Sequence, residues 1–134
     1  MASPVKPFAK CVYVCDDVVR DYSTGKVILV NLWDAIRVPT HGRFPFCLAK
    51  LCVFVWWRDG SVKVKSRIDI VQASTGRLIC RTIDCILNFE NRTETVFARY
   101  KMENCTFDEP GYYFVEVFCE GEFVDDQIIR VICP

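Results

Sequence analysis

The chain has 134 residues, 51% hydrophobic and 25% charged, a globular composition that excludes a disordered tail. This is the length of one domain, 1–134, able to bury roughly two thirds of the surface its unfolded form exposes. Seventeen basic and 17 acidic residues cancel, so no global field recruits a phosphate polymer or an anionic membrane.

In chain order, the N-terminal Met1–Phe8 lacks the apolar core of a signal peptide, and no run approaches the roughly 18 apolar residues of a membrane span. A soluble cytoplasmic protein is the expectation. Phe8, Val12, Cys15, Val19 and Tyr22 fall at helical steps, but the valines between them disfavour a helix. The two signals together predict a strand to Cys15, then a short helical turn capped by Asp16 and ended at Ser23-Thr24-Gly25. Lys26–Val38 reads as a strand and Pro39–Pro45 as a loop. Cys47–Trp57 is apolar on both faces apart from Lys50, and Asp59-Gly60 within Arg58–Ser61 predicts a hairpin into the next strand.

That next strand alternates cleanly, with Val62, Val64, Ile68 and Ile70 on one side and Lys63, Lys65, Arg67 and Asp69 on the other. A turn at Ala73–Gly76 leads to Arg77–Leu87, and Glu90-Asn91-Arg92 leads to Glu94–Met102. Asp108–Gly111 opens Tyr112–Cys119, in which Tyr113, Val115, Val117 and Cys119 share a face; Glu120–Glu122 then turns into Phe123–Cys133. About eight strands at short, regular spacing predict an all-β, antiparallel sandwich with one helical turn after the first strand.

The order of these features resembles an uncharacterised bacterial family of small cytoplasmic, immunoglobulin-like β-sandwich domains. The resemblance rests on Cys15-Asp16, Gly25-Lys26, and the late "PGYYFVEVFCEGE" hairpin with Pro110, Gly111, Tyr113, Val115, Val117, Gly121 and Glu122. It implies the fold and the compartment and brings no catalytic residue. In such a hairpin the tyrosine packs or hydrogen-bonds across a corner.

Nine cysteines is an odd number, and Cys52, Cys80 and Cys119 sit in apolar runs, so buried, reduced thiols in a reducing compartment are expected. In an extended chain Cys11 and Cys15 stand about 13 Å apart, too far for a shared zinc or a disulfide, although each thiol can meet one on a neighbouring strand. Cys47/Cys52 and Cys80/Cys85, five apart, point to opposite faces. His41, in a turn, has no partner motif for Cys-His hydrolysis. Asp16-Asp17 and Asp125-Asp126 are the candidate ligands for a calcium-like ion, without the D-x-D-x-D-G grammar of a dedicated loop. A stripe of Arg58, Lys63, Lys65, Arg67, Arg77 and Arg81 reads as a solvated face with Asp69 and Asp84 as partners, which argues against nucleic acid.

The aromatic residues point to a partner. Trp56/Trp57 and Tyr112/Tyr113 are adjacent, so one member of each pair faces outward unless the loop over 39–46 covers it. Trp56, Trp57, Tyr112, Phe44 and Phe46 are the candidate binding residues. The expected function is a non-enzymatic binding or assembly module, without cofactor or membrane, that meets a protein partner or itself through a sheet face or edge. The alternative is a small-ligand or metal-ion domain using the loop ends near Asp16, Asp17 and His41.

Overall fold

The computed structural model describes residues 6–60, 62–90 and 94–133, with Val62 described by its backbone. The N-terminal Met1–Val5, Ser61 and the turn expected at Asn91-Arg92 lie outside the described residues. Among the described residues there are ten strands: β1 Phe8–Arg20, β2 Val27–Leu32, β3 Ala35–Arg37, β4 Phe46–Arg58, β5 Val62–Gln72, β6 Leu78–Arg81, β7 Cys85–Phe89, β8 Thr95–Phe107, β9 Gly111–Cys119 and β10 Glu122–Ile132. They form a four-stranded sheet in the order β2-β1-β4-β8 and a six-stranded sheet in the order β3-β10-β9-β5-β6. β7 pairs with β5 beside β6, and the six-stranded sheet curls into a half-barrel. All pairings are antiparallel except β3 with β10.

The core lies between the two sheets. Val12, Val14, Leu51, Val53, Val55, Trp57, Ala98 and Met102 from one sheet meet Val64, Ile68, Ile70, Val115, Val117, Ile129 and Val131 from the other. Each fully buried aliphatic side chain contributes roughly 1.5–3 kcal/mol, so these strands dominate the stabilisation. The predicted alternation of Tyr113, Val115, Val117 and Cys119 is present, all at 1% exposure or less.

A single hydrogen-bonded chain ties the sheets together through this core. Ser66 Oγ donates to the Cys85 carbonyl at 2.9 Å, so at 2.6 Å it accepts from the Tyr100 hydroxyl, which in turn accepts from Trp57 Nε1 at 3.0 Å. Every polar atom in it is satisfied, the condition under which a buried polar network rigidifies a core. At one end of the core the buried Tyr113 donates its hydroxyl to the Glu109 carbonyl at 2.6 Å, the corner contact expected of the late hairpin.

Four expectations are corrected. Among the described residues there is no helical turn: β1 continues through Asp16 to Arg20, because its two faces are both occupied and its valines favour extension. Lys26–Val38 is two strands, β2 and β3, broken at Trp33-Asp34 where the chain passes from one sheet to the other. Arg77–Leu87 is likewise broken, into β6 and the start of β7. The Asp59-Gly60 turn joins β4 to β5 across the sheets and closes no hairpin. Asp59 takes the left-handed conformation, φ 59°. Gly60 lies beneath the Phe89 ring, where a Cβ would sit 2.5 Å from ring carbons.

Candidate interaction surface

β4 is buried on both faces. Leu51, Val53, Val55 and Trp57 enter the main core, while Cys52 and Phe54 face the other way and are also sealed, at 0% and 4% exposure. They belong to a second apolar cluster with Cys15 and Val18, against which Cys11, Val27, Leu29, Trp56 and Phe97 pack. This cluster lies on the outer face of the four-stranded sheet, so something must cover it.

The cover is the chain's own β1–β2 hairpin. β1 pairs with β4 as far as Cys15↔Cys52, and a straight continuation of that register would carry Val18 toward Asn104 and Arg20 toward Thr106. Instead Arg99 Nη1 donates to the Val18 carbonyl at 3.3 Å, and Arg20 Nη2 donates to the Phe97 carbonyl at 3.3 Å. These contacts lie some five to nine residues back along β8, on the order of 15–30 Å of strand, which no side chain spans. β1 therefore bends after Cys15 and its C-terminal end, with β2, folds back over the outer face.

Asp16 and Asp17 form the bend. The Asp16 carboxylate accepts from Asn31 Nδ2 at 2.7 Å and from Trp33 Nε1 at 2.6 Å, clamping the far end of β2. Asp17 accepts from its neighbour's amide, Val18 N, at 2.8 Å and pairs with Arg99 at 3.4 Å. The Val18 amide holds the Asp17 carboxyl below its ordinary range; burial opposes this weakly, and Lys50, Arg99 and Lys101 add to the lowering. Asp16 thus has a structural role other than the helix cap assigned from sequence. Asp125 and Asp126 lie in β10 of the other sheet, with Asp125 accepting from the Asp126 amide at 2.8 Å. Among the described residues no group of three His, Cys, Asp or Glu side chains is placed to hold a metal ion.

All nine cysteines are unbridged. Burial pushes the Cys52 thiol up to about 12, with the neighbouring Cys15 and Asp17 adding to the rise, and pushes Cys119 up to about 11. Burial also raises Cys15 and Cys105. These thiols stay protonated at neutral pH, the form that neither attacks a carbonyl nor ligates a soft metal. Cys15 and Cys52 are direct cross-strand partners, the neighbouring-strand meeting that sequence left open.

The candidate aromatics divide. Trp57 is core and Trp56 faces outward, as their adjacency requires, with Lys10 Nζ 4.2 Å from the Trp56 ring centroid. Tyr112 is 53% exposed on the outer face of the six-stranded sheet, beneath Arg130. Phe44 and Phe46 pack against the main core, so the 39–46 loop covers an end of that core and is no free aromatic patch. The basic stripe is split: Arg58 lies on the four-stranded sheet, while Arg67 and Arg81 on the other sheet both bond the buried Asp69.

Sequence reasoning passed over the upper side of the hairpin. Val18 and Leu29 point down into the second cluster, whereas their neighbours Val19 and Ile28, paired with each other across the hairpin, are 47% and 62% exposed. Tyr22 in the turn and Leu32 at the end of β2 are 90% and 60% exposed. The available signal was the charge-free run Val27–Leu32, whose alternate residues cannot all be covered by one partner strand.

Fold and surface together define an all-β protein of two facing sheets with a hairpin folded over one of them and apolar on both its sides. The chain matches the family of unknown function DUF6941 over residues 10–132 and belongs to that family. No match is found among curated proteins. Among solved structures it is similar to the alkylpurine DNA glycosylase AlkC of Pseudomonas fluorescens, solved bound to DNA containing an abasic site analogue, at 11% identity and a TM-score of 0.47. That match covers 73% of this chain and 27% of the glycosylase chain. Among the described residues no helix is long and apolar enough to cross a membrane.

Proposed function

We propose that the protein is a non-enzymatic assembly module that pairs with a second copy of itself through the β1–β2 hairpin. The observation that carries this reading is the exposed cross-strand pair Val19/Ile28, with Ile28 and Leu32 on the terminal strand β2, which holds no charged residue. The other terminal strands are guarded. β8 places Arg99, Lys101 and Glu103 along its length, and β3, β6 and β7 are three, four and five residues long. Short or charged strands are how sheets avoid pairing, so β2, the longest terminal strand without a charge, is the edge that fits a partner. Two β2 strands meeting antiparallel about a two-fold axis bury Val19 and Ile28 of both copies in one self-complementary contact.

Within this reading the fold is the immunoglobulin-like sandwich, in a single domain, of the bacterial cytoplasmic proteins that the sequence resembles. The Tyr113 corner and nine unbridged cysteines support that finer description. The loop-end ligand alternative has less behind it, since Asp16 and Asp17 are engaged in holding the hairpin.

Light scattering across a concentration series tests the proposal. The wild-type mass is expected to rise from 15.5 kDa toward twice that value, and Ile28→Lys is expected to hold it at the monomer. A wild type that stays monomeric throughout, or an Ile28→Lys variant that assembles as before, contradicts it.

A further inference from the structure

The part of the outer face that the hairpin leaves open has a different character. Around Trp56 it carries hydrogen-bond donors and cations without acceptors. Trp56 Nε1 and Arg58 Nε are both buried and have no hydrogen-bond partner among the described residues. They sit two residues apart on one face of β4, with Lys10 over the Trp56 ring and the Arg58 guanidinium 5.9 Å from the Phe8 ring centroid. Leaving a buried donor unpaired is unfavourable, and two on one face point to an acceptor supplied from outside. Lys10 and Arg58 form no ion pair among the described residues.

The patch continues past Trp56. Phe97 packs edge-on against the indole, 5.4 Å between centroids, and beyond it a depression of about 150 Å³ opens between Arg20 and Arg99, floored by Val18, Val27 and Phe97. Lys10, Arg58, Arg20 and Arg99 therefore line this apolar track, and Arg99 pairs with the Asp17 carboxylate.

We propose that this track docks an extended acidic segment of a partner polypeptide. Its carboxylates accept from Trp56 Nε1, Arg58 Nε and Lys10 at one end and from Arg20 and Arg99 at the other. Side chains on one face of an extended chain repeat at about 6.6–6.8 Å, the same interval that separates Trp56 from Arg58 along β4. A phosphodiester strand fits less well, because the indole and the Nε group each offer one in-plane donor and Asp17 lies in the track. This surface is distinct from the upper side of the hairpin, and its occupation does not require assembly.

The three indoles give a direct reading. Trp33 Nε1 is bonded to Asp16 and Trp57 Nε1 to Tyr100, which leaves the Trp56 N–H alone free to take a new acceptor. In amide-type NMR spectra, with Trp56→Phe assigning the signal, a hexaglutamate peptide is expected to shift the Trp56 indole resonance saturably while Trp33 and Trp57 stay in place. Lys10→Glu and Arg58→Gln are each expected to weaken binding by about tenfold or more, while Lys65→Glu on the opposite sheet leaves it unchanged. Lys10 is exposed, so its variant keeps the fold, and the Trp57 signal reports that it does. The absence of a saturable shift overturns the proposal. So does hexaglutamate binding that survives Lys10→Glu, or a shift produced by oligo-dT and not by hexaglutamate.

Discussion

The outer faces of the two sheets treat their charges in opposite ways. On the six-stranded sheet, Asp69 is 3% exposed and is held by Arg81 at 2.8 and 2.9 Å and by Arg67 at 3.3 Å, with Arg67 itself stacked 4.3 Å from the Phe118 ring centroid. Burial acts to raise the Asp69 carboxyl, but its two arginines outweigh that and lower it. On the four-stranded sheet the face is apolar enough to need a cover, and beside Trp56 neither Lys10 nor Arg58 forms an ion pair among the described residues. On one face the buried carboxylate is paired by its own neighbours; on the other the apolar cluster is closed only where the hairpin lies. The difference teaches where to look for a partner, since a surface that satisfies itself gains little from binding.

The strongest way to break the comparison is to remove the closed face's centre. Asp69→Ala is expected to lower unfolding stability by about 3 kcal/mol, because it strands two arginines built around a buried carboxylate. Arg99→Ala, whose ion pair on the other face is exposed and 3.4 Å long, should cost about 0.5 kcal/mol or less in the same urea titration. The pH dependence follows from the lowered Asp69 carboxyl. Its contribution is fully present above the unfolded carboxylate value of about 3.9 and is lost as pH falls through the lower folded value. The stability gap between wild type and Asp69→Asn should therefore be widest near neutrality and narrow in acid below pH about 4. A gap that widens on acidification contradicts the assignment.

Tyr100→Phe comes next. It removes the middle of the Trp57–Tyr100–Ser66 chain and leaves a buried indole N–H unpaired, an expected loss of about 1–3 kcal/mol with an unchanged denaturant slope. The most local effect belongs to Asp16→Ala. Losing the clamps to Asn31 and Trp33 is expected to cost about 1 kcal/mol and to accelerate amide exchange in β2 while β9 keeps its protection.

Much of this was legible from residue order. The alternation in β5 and β9 assigned the inward side of both strands, and the adjacency of Trp56 and Trp57 required opposite faces. The continuous apolar run in β4 carried the signal of double burial, since no one-sided strand needs Cys52 and Phe54 as well as Val53 and Val55. The bend at Asp16-Asp17 was not legible. No glycine or proline marks it; what makes it is a carboxylate reaching Asn31 and Trp33, 15 and 17 residues away, and spacing along one strand does not encode such a contact. The same bend defeated the helical reading, because Val12 and Cys15 lie on opposite faces of one strand. Asp59-Gly60 shows the limit from the other side: the turn between β4 and β5 was legible, but whether those strands pair was decided by the two-sheet topology.

The central claim is that the four-stranded sheet meets its partner along β2. Hydrogen exchange of the β2 amides at low and high protein concentration tests it most directly. The account predicts protection of the β2 amides turned away from β1 that grows with concentration in the wild type and not in Ile28→Lys. Exchange along β2 that is independent of concentration, while other strands gain protection, would contradict it.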